Sequence, residues 1–146
     1  MTLKRSIKPM KRTKLKTKTC LKKKSKQKIS VIQRHLWELC KQVTRKNHGN
    51  TCYTCPATGL IGSNWHTGHL FPKASVGAFL KYDLRILRPQ CYNCNINLGG
   101  RGADFYLKLL SEIGEEKMAQ LQKDRQVIVK AEEHYLKLID EYQKLV

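Results

Sequence analysis

Two Cys-x-x-Cys pairs, Cys52 with Cys55 and Cys91 with Cys94, constrain this chain more than any other feature. Each pair sets two thiolates on one tight turn, and four thiolates make a tetrahedral set for one zinc ion. The pairs stand 35 residues apart. That is longer than the spacing of about 15–20 usual in a simple zinc ribbon, so the insert must hold structure of its own. A zinc ion joining its ends would contribute folding free energy directly, on the order of 10 kcal/mol. Two unrelated turns or a redox pair are the competing readings, and a structural four-cysteine zinc is preferred to both. Cys20 and Cys40 lie outside the pattern.

A chain of 146 residues is the size of one domain, and its 40% hydrophobic content is modest for a large apolar core. A metal staple is therefore in keeping with the composition. The formal net charge is +18, and residues 1–28 carry 13 of the 29 basic side chains and no acidic one, leaving +5 for the remainder. Such a segment is too self-repelling and too poor in apolar residues to fold alone, so 1–28 is expected to be a disordered basic arm. A solubilising tail or a charged membrane surface would also suit it. Phosphate is the preferred partner, because each lysine that neutralises one releases counterions and gives sequence-independent affinity; Lys22, Lys23 and Lys24 are the densest run. No apolar run reaches the roughly 20 residues that span a bilayer, and no secretory pattern follows the basic start, so no membrane association and a cytoplasmic location are expected. In that reducing setting the cysteines read as ligands or free thiols.

Four regions follow. After the arm, residues 29–49 read as an amphipathic helix, with Ser30 at its start and Leu36, Leu39, Cys40 and Val43 at helical spacing. Residues 50–103 form the cysteine module: a cysteine turn and hairpin in TCYTCPATGLIGS, a strand in NWHTGHLF, a short buried element in KYDLRILRP, and a helix start in NINLGG that Gly99 and Gly100 stop or distort. Residues 104–146 read as one long charged helix or a bent pair, with Leu121, Ile128, Tyr135, Leu138 and Tyr142 along one face, packing on the module or on a second copy. The fold class is thus α+β: a small zinc-stabilised module flanked by helices.

His66 and His69 sit inside the insert. Along a strand they fall on opposite faces unless Gly68 permits a bend or bulge that lets them converge. The sequence GHLFPKAS, then LRILRPQCYNCNINLGG and a long charged helix, resembles the phage NinG (Rap) recombination endonucleases over roughly residues 50–120. More broadly it is similar to the HNH, or ββα-metal, nucleases of the endonuclease VII type. That resemblance implies structural zinc on Cys52, Cys55, Cys91 and Cys94, His69 as general base, and Asn95 and His66 as ligands of a second, catalytic cation, Mg²⁺ or Mn²⁺. The chain departs from a common form of the pattern by carrying Gly68 where aspartate often precedes the histidine; without His66 the ligand set would be incomplete. Asp83 is expected to fix its loop.

The chemistry suits these residue types. A neutral imidazole with a reference pKa of about 6.5 can take a proton from water near pH 7, and an asparagine oxygen is a neutral donor for a hard cation. Lys73, Arg85, Arg88 and Arg101 are candidate phosphate contacts, and Asn97 a helix cap or a supporting hydrogen-bonding residue. The resemblance implies a metal-dependent endodeoxyribonuclease acting on branched DNA such as Holliday junctions or D-loops. Paired cuts would favour a homodimer through the C-terminal helix. A non-catalytic zinc-stabilised DNA-binding module, or an adaptor for a replication or recombination protein, is the alternative.

Overall fold

The computed structural model describes the backbone from residue 16 and side chains from residue 28 onward, to residue 146. The expectation for residues 1–15, and for the side chains of Lys22, Lys23 and Lys24, lies outside the described residues.

Helix α1 spans Lys16–His48. The helix expected from residue 29 therefore starts earlier, and the backbone of residues 16–28 continues it where an arm without structure was expected. Alternating lysines do not prevent this: lysine loses little side-chain freedom in a helix, and the segment adjoins a stretch already held by packing. Leu36, Leu39, Cys40 and Val43 are the buried stripe of α1.

Strands β1 (Trp65–His69) and β2 (Leu87–Cys91) pair antiparallel in an unbroken register from Trp65 opposite Cys91 to His69 opposite Leu87. There is thus no bulge at Gly68. Pro89 is tolerated in β2 because its carbonyl faces away from β1 and accepts from Tyr53 N at 2.7 Å, so the ladder loses no donor there. The expected hairpin before β1 is a looped-back segment without strands, closed by Cys52 N to Ala57 O and Leu60 N to Asn50 O. Between the strands Asp83 caps a single turn at Leu84–Ile86, accepting from Arg85 N at 2.8 Å and from the Arg85 guanidinium. That is the loop-fixing part expected of it.

After β2 the chain makes a π-type turn at Asn93–Asn97 and enters α2 (Gly102–Ile113). Gly99, Gly100 and Arg101, at φ 59°, 82° and 47°, are three consecutive left-handed residues between them. Only glycine adopts this conformation freely, which explains the paired glycines. Helices α3 (Glu115–Asp124) and α4 (Ala131–Gln143) complete the chain. The expected long helix or bent pair is therefore three helices: Gly114 at φ 85° ends α2, and residues 125–130 separate α3 from α4.

Helix α4 lies along α1. Lys28 pairs with Glu132, His35 meets Gln143 and Lys46 meets the carbonyl of Leu145, so the two helices run in the same sense. The apolar face of α4, Tyr135, Leu138, Ile139 and Tyr142, is buried in the same core as α1. That face is thereby used inside the chain. Among the described residues no helix is long and apolar enough to cross a membrane.

Candidate metal centre and histidine cleft

The two cysteine turns meet. The sulfurs of Cys52, Cys55, Cys91 and Cys94 all lie within 4.8 Å of one another, and Cys55 Sγ is 3.8 Å from Cys91 Sγ. A tetrahedron with Zn–S bonds of about 2.3 Å has S···S edges of about 3.8 Å, so the cluster has the dimensions of a four-thiolate zinc site. Main-chain donors support it: Cys91 N donates to Cys52 Sγ at 3.3 Å, and Cys94 N to Cys91 Sγ at 3.4 Å. Burial pushes the Cys52 thiol up, but hydrogen bonds from Cys91 N and the Thr54 backbone and side chain outweigh it and bring it down to about 6. Cys55 is the reverse. Its bond from Ala57 is outweighed by burial and the neighbouring thiols, which push it up to about 12. Crowded sulfurs resist ionising together, and a divalent cation is what lets all four become thiolates. Leu60 and Trp65 wall the cluster on its apolar side. Cys40 belongs elsewhere: it is buried on α1, donates to Tyr82 O, and burial pushes its thiol up to about 12, which leaves it inert.

A cleft of about 360 Å³ opens beside this centre, lined by residues that include His69, Thr67, Lys73, Asn95, Gly99 and Gly100. The strand end and the π-type turn thus bring His69 and Asn95 to one space. His69 Nε2 lies 3.2 Å from Lys81 O. A carbonyl only accepts, so Nε2 carries the hydrogen and Nδ1 the lone pair. The ring stacks on Trp37 of α1, with centroids 5.2 Å apart. Burial and the nearby Lys73 charge push its pKa down to about 4, although the Lys81 carbonyl opposes them. The ring is therefore neutral at pH 7.

Lys73 Nζ sits 3.8 Å from the centroid of the Trp37 ring, so one indole organises both the imidazole and an ammonium. Burial, then Lys81, holds the Lys73 pKa below its ordinary value. Thr67 Oγ1 is a buried oxygen without a partner, and Asn95 adds an amide. Both are neutral oxygens, the donor type that a hard divalent cation takes.

The other expected site residues fall into place differently. His66 is not among the residues lining the cleft; its Nε2 donates to Ser63 O at 2.9 Å and its ring meets the edge of Tyr92. With the register unbroken, the bend that would have brought His66 toward His69 does not occur. Arg88 is 5% exposed and its guanidinium bonds to Glu112 and to Leu87 O, so it braces α2 against β2 instead of facing a phosphate. Arg85 bridges Asp83 and Asp124. Arg101 is at the surface, paired with Asp104 at 2.7 Å. Asn97 Nδ2 donates to Asn93 Oδ1 across the π-type turn. Sequence reasoning passed over Trp37, Thr67 and Gln90. Gln90 alone left a trace, as an uncharged polar residue next to Cys91.

Fold and site together define a small mixed α+β protein built around a four-cysteine cluster suited to zinc. The chain belongs to the family described as Bacteriophage Lambda NinG protein, whose model matches residues 2–146. This membership ties it to phage recombination. No curated protein and no solved structure matches the chain.

Proposed function

We propose that this protein is a metal-dependent DNA endonuclease of the HNH, ββα-metal kind that hydrolyses phosphodiester bonds in branched recombination intermediates. The observation that carries the reading is the shared cleft of His69 and Asn95, with His69 held in the tautomer that leaves Nδ1 free. The order β1, β2, helical turn supports it, as does the family's link to recombination.

The residues divide the work. His69 Nδ1 accepts the proton of the attacking water while Lys81 O keeps the ring oriented. Trp37 keeps the ring in place from behind. Asn95, with Thr67 beside it in the lining, would hold a Mg²⁺ or Mn²⁺ ion, which would supply neutralisation of charge on the phosphoryl oxygens and help for the departing alkoxide. Lys73 presents a cation to the same phosphate. The zinc cluster fixes the turn that carries Asn95 opposite the strand that carries His69, since Cys94 lies within that turn and Cys91 two residues before it. Basic residues 1–28 add phosphate contacts that do not depend on sequence.

Cleavage of a four-way junction beside a matched linear duplex, with Mg²⁺ or Mn²⁺, tests the reading. The parent cuts the junction, while His69→Ala keeps its zinc and its binding but loses at least about a hundredfold in rate, the usual contribution of a general base. A parent that binds DNA with a steep salt dependence and never cuts it is a zinc-stabilised binding module instead.

A further inference from the structure

Hydrolysis of a phosphodiester moves two protons: one leaves the attacking water, and one must reach the departing alkoxide. His69 takes the first through Nδ1, and its Nε2 hydrogen is engaged by Lys81 O, so it has none ready for the second. Among the other side chains that line the cleft, only Lys73 carries a proton acidic enough to give; the rest are apolar residues, glycines, a threonine hydroxyl and the Asn95 amide.

Lys73 opens the turn Lys73–Ser75, which Ser75 closes by donating to Pro72 O from N at 2.8 Å and from Oγ at 2.9 Å. The residue is exposed, yet its ammonium lies on Trp37. Among the described residues no carboxylate pairs with it, whereas Arg85, Arg88 and Arg101 are each tied to an acidic side chain. Its N–H bonds are left for a substrate. His69 stacks on the same indole, so Nζ and the imidazole centre are no farther apart than 3.8 and 5.2 Å laid end to end. In-line displacement, with reacting atoms about 3–3.5 Å apart and proton-transfer contacts of about 2.6–3.2 Å, needs a base and an acid within roughly 10 Å of each other. One rigid ring thus sets the spacing of both. Burial, then Lys81, loosens the hold of Lys73 on its proton; Cys40 opposes this and Lys41 adds to it.

Building on the endonuclease reading, we propose that Lys73 is the general acid of the reaction, a catalytic residue that gives an Nζ proton to the bridging oxygen as its bond to phosphorus breaks. Water forms the new P–O bond and loses a proton to His69 Nδ1. The bridging oxygen keeps the electron pair of the broken bond, takes the proton from Lys73 and departs as an alcohol. The amine then regains a proton from solvent and the imidazolium returns one, so the net change is diester and water to alcohol and phosphate monoester.

The test places sulfur for the departing bridging oxygen at the mapped cut in a four-way junction; the end groups of the parent's products identify that oxygen. A thiolate departs without a proton, since a thiol ionises near pH 8.5. Rates are read with Mg²⁺ at saturating protein, and any weaker hold of the ion on sulfur cancels between parent and variant. On the ordinary junction Lys73→Met and Lys73→Arg should each lose at least about a hundredfold, and on the sulfur junction both should stay within about threefold of the parent. Lys73→Arg keeps the charge but has no proton it can give. Because Lys73 is exposed, both variants should keep their zinc, and either alone decides. A loss of equal size on both junctions would make Lys73 a phosphate contact only, and no loss on either would remove it from the chemistry; each result overturns the proposal and leaves the endonuclease reading standing. A parent that binds both junctions and cuts neither overturns both.

Discussion

Replacing Gly68 by alanine places a methyl group 2.1 Å from Gln90 Oε1, 2.6 Å from its Cδ and 2.9 Å from its Cγ. Gly68 is not in the left-handed region, so an alanine there would otherwise stabilise by about 0.4–1 kcal/mol through the unfolded chain. Contact with Gln90 reverses the sign. Overpacking costs about 1–3 kcal/mol, and pulling the amide off Thr54 Oγ1 and Gly100 O, to which its Nε2 donates, adds about 1 kcal/mol for each bond, so Gly68→Ala should cost about 2–4 kcal/mol in all. Removing the obstacle should restore the alanine's intrinsic benefit. In a Gln90→Ala background, Gly68→Ala should therefore be neutral or mildly stabilising, and the double-mutant cycle should give a coupling of about 3 kcal/mol. The assay is urea denaturation of the four proteins with zinc in excess, read as midpoint shifts at constant slope. Additivity within about 0.5 kcal/mol would show that Gln90 does not fill the space above Gly68.

Three further outcomes follow from the site. Cys91→Ser should lose stoichiometric zinc, measured by metal analysis, and with it the larger part of a stabilisation on the order of 10 kcal/mol, so the module around residues 50–100 should lose its amide protection from exchange. His69 has a folded pKa of about 4 against an ordinary 6.5; the unfolded chain takes up the proton first, so stability declines as pH falls through 6.5 and stops declining below about 4, by up to about 3 kcal/mol. An NMR titration of the ring with a midpoint near 6.5 would contradict that burial. Removing residues 1–15, which hold Lys4, Arg5, Lys8, Lys11, Arg12 and Lys14, should weaken DNA binding similarly for all sequences and flatten the plot of log affinity against log salt by about 0.9 for each phosphate no longer neutralised. An unchanged slope would place phosphate binding elsewhere on the chain.

The sequence made the metal centre legible because thiolate chemistry tolerates few substitutes and Cys-x-x-Cys dictates its own turn. The shared place of His69 and Asn95 was legible only with the help of family resemblance, since it depends on how β1 meets the turn after Cys94. Arg88 was misread as a phosphate contact because its partner Glu112 lies 24 residues on, in a helix whose packing no local pattern reveals. The part played by Gly68 stayed open for a similar reason. A glycine in a strand signals either a bulge or a close approach, and only the position of Gln90 decides for the second. The split of the C-terminal region into three helices turned on Gly114 and residues 125–130, where charge spacing suits a continuous helix but the buried faces of α3 and α4 require separate elements.

The pairing of α1 with α4 bears on how the chain is made. Lys46, near the end of α1, holds Leu145 O, 99 positions later, and the core that covers Leu36 and Val43 includes Tyr135, Ile139 and Tyr142. During synthesis α1 emerges early, with an apolar stripe that has no complete cover until the last helix has followed it. Contacts this distant in sequence make folding slow and tie it to the synthesis of α4. The cysteine turns, by contrast, can close as soon as residue 94 is available. Zinc capture can thus precede burial of α1, with the cluster serving as the first fixed point of assembly.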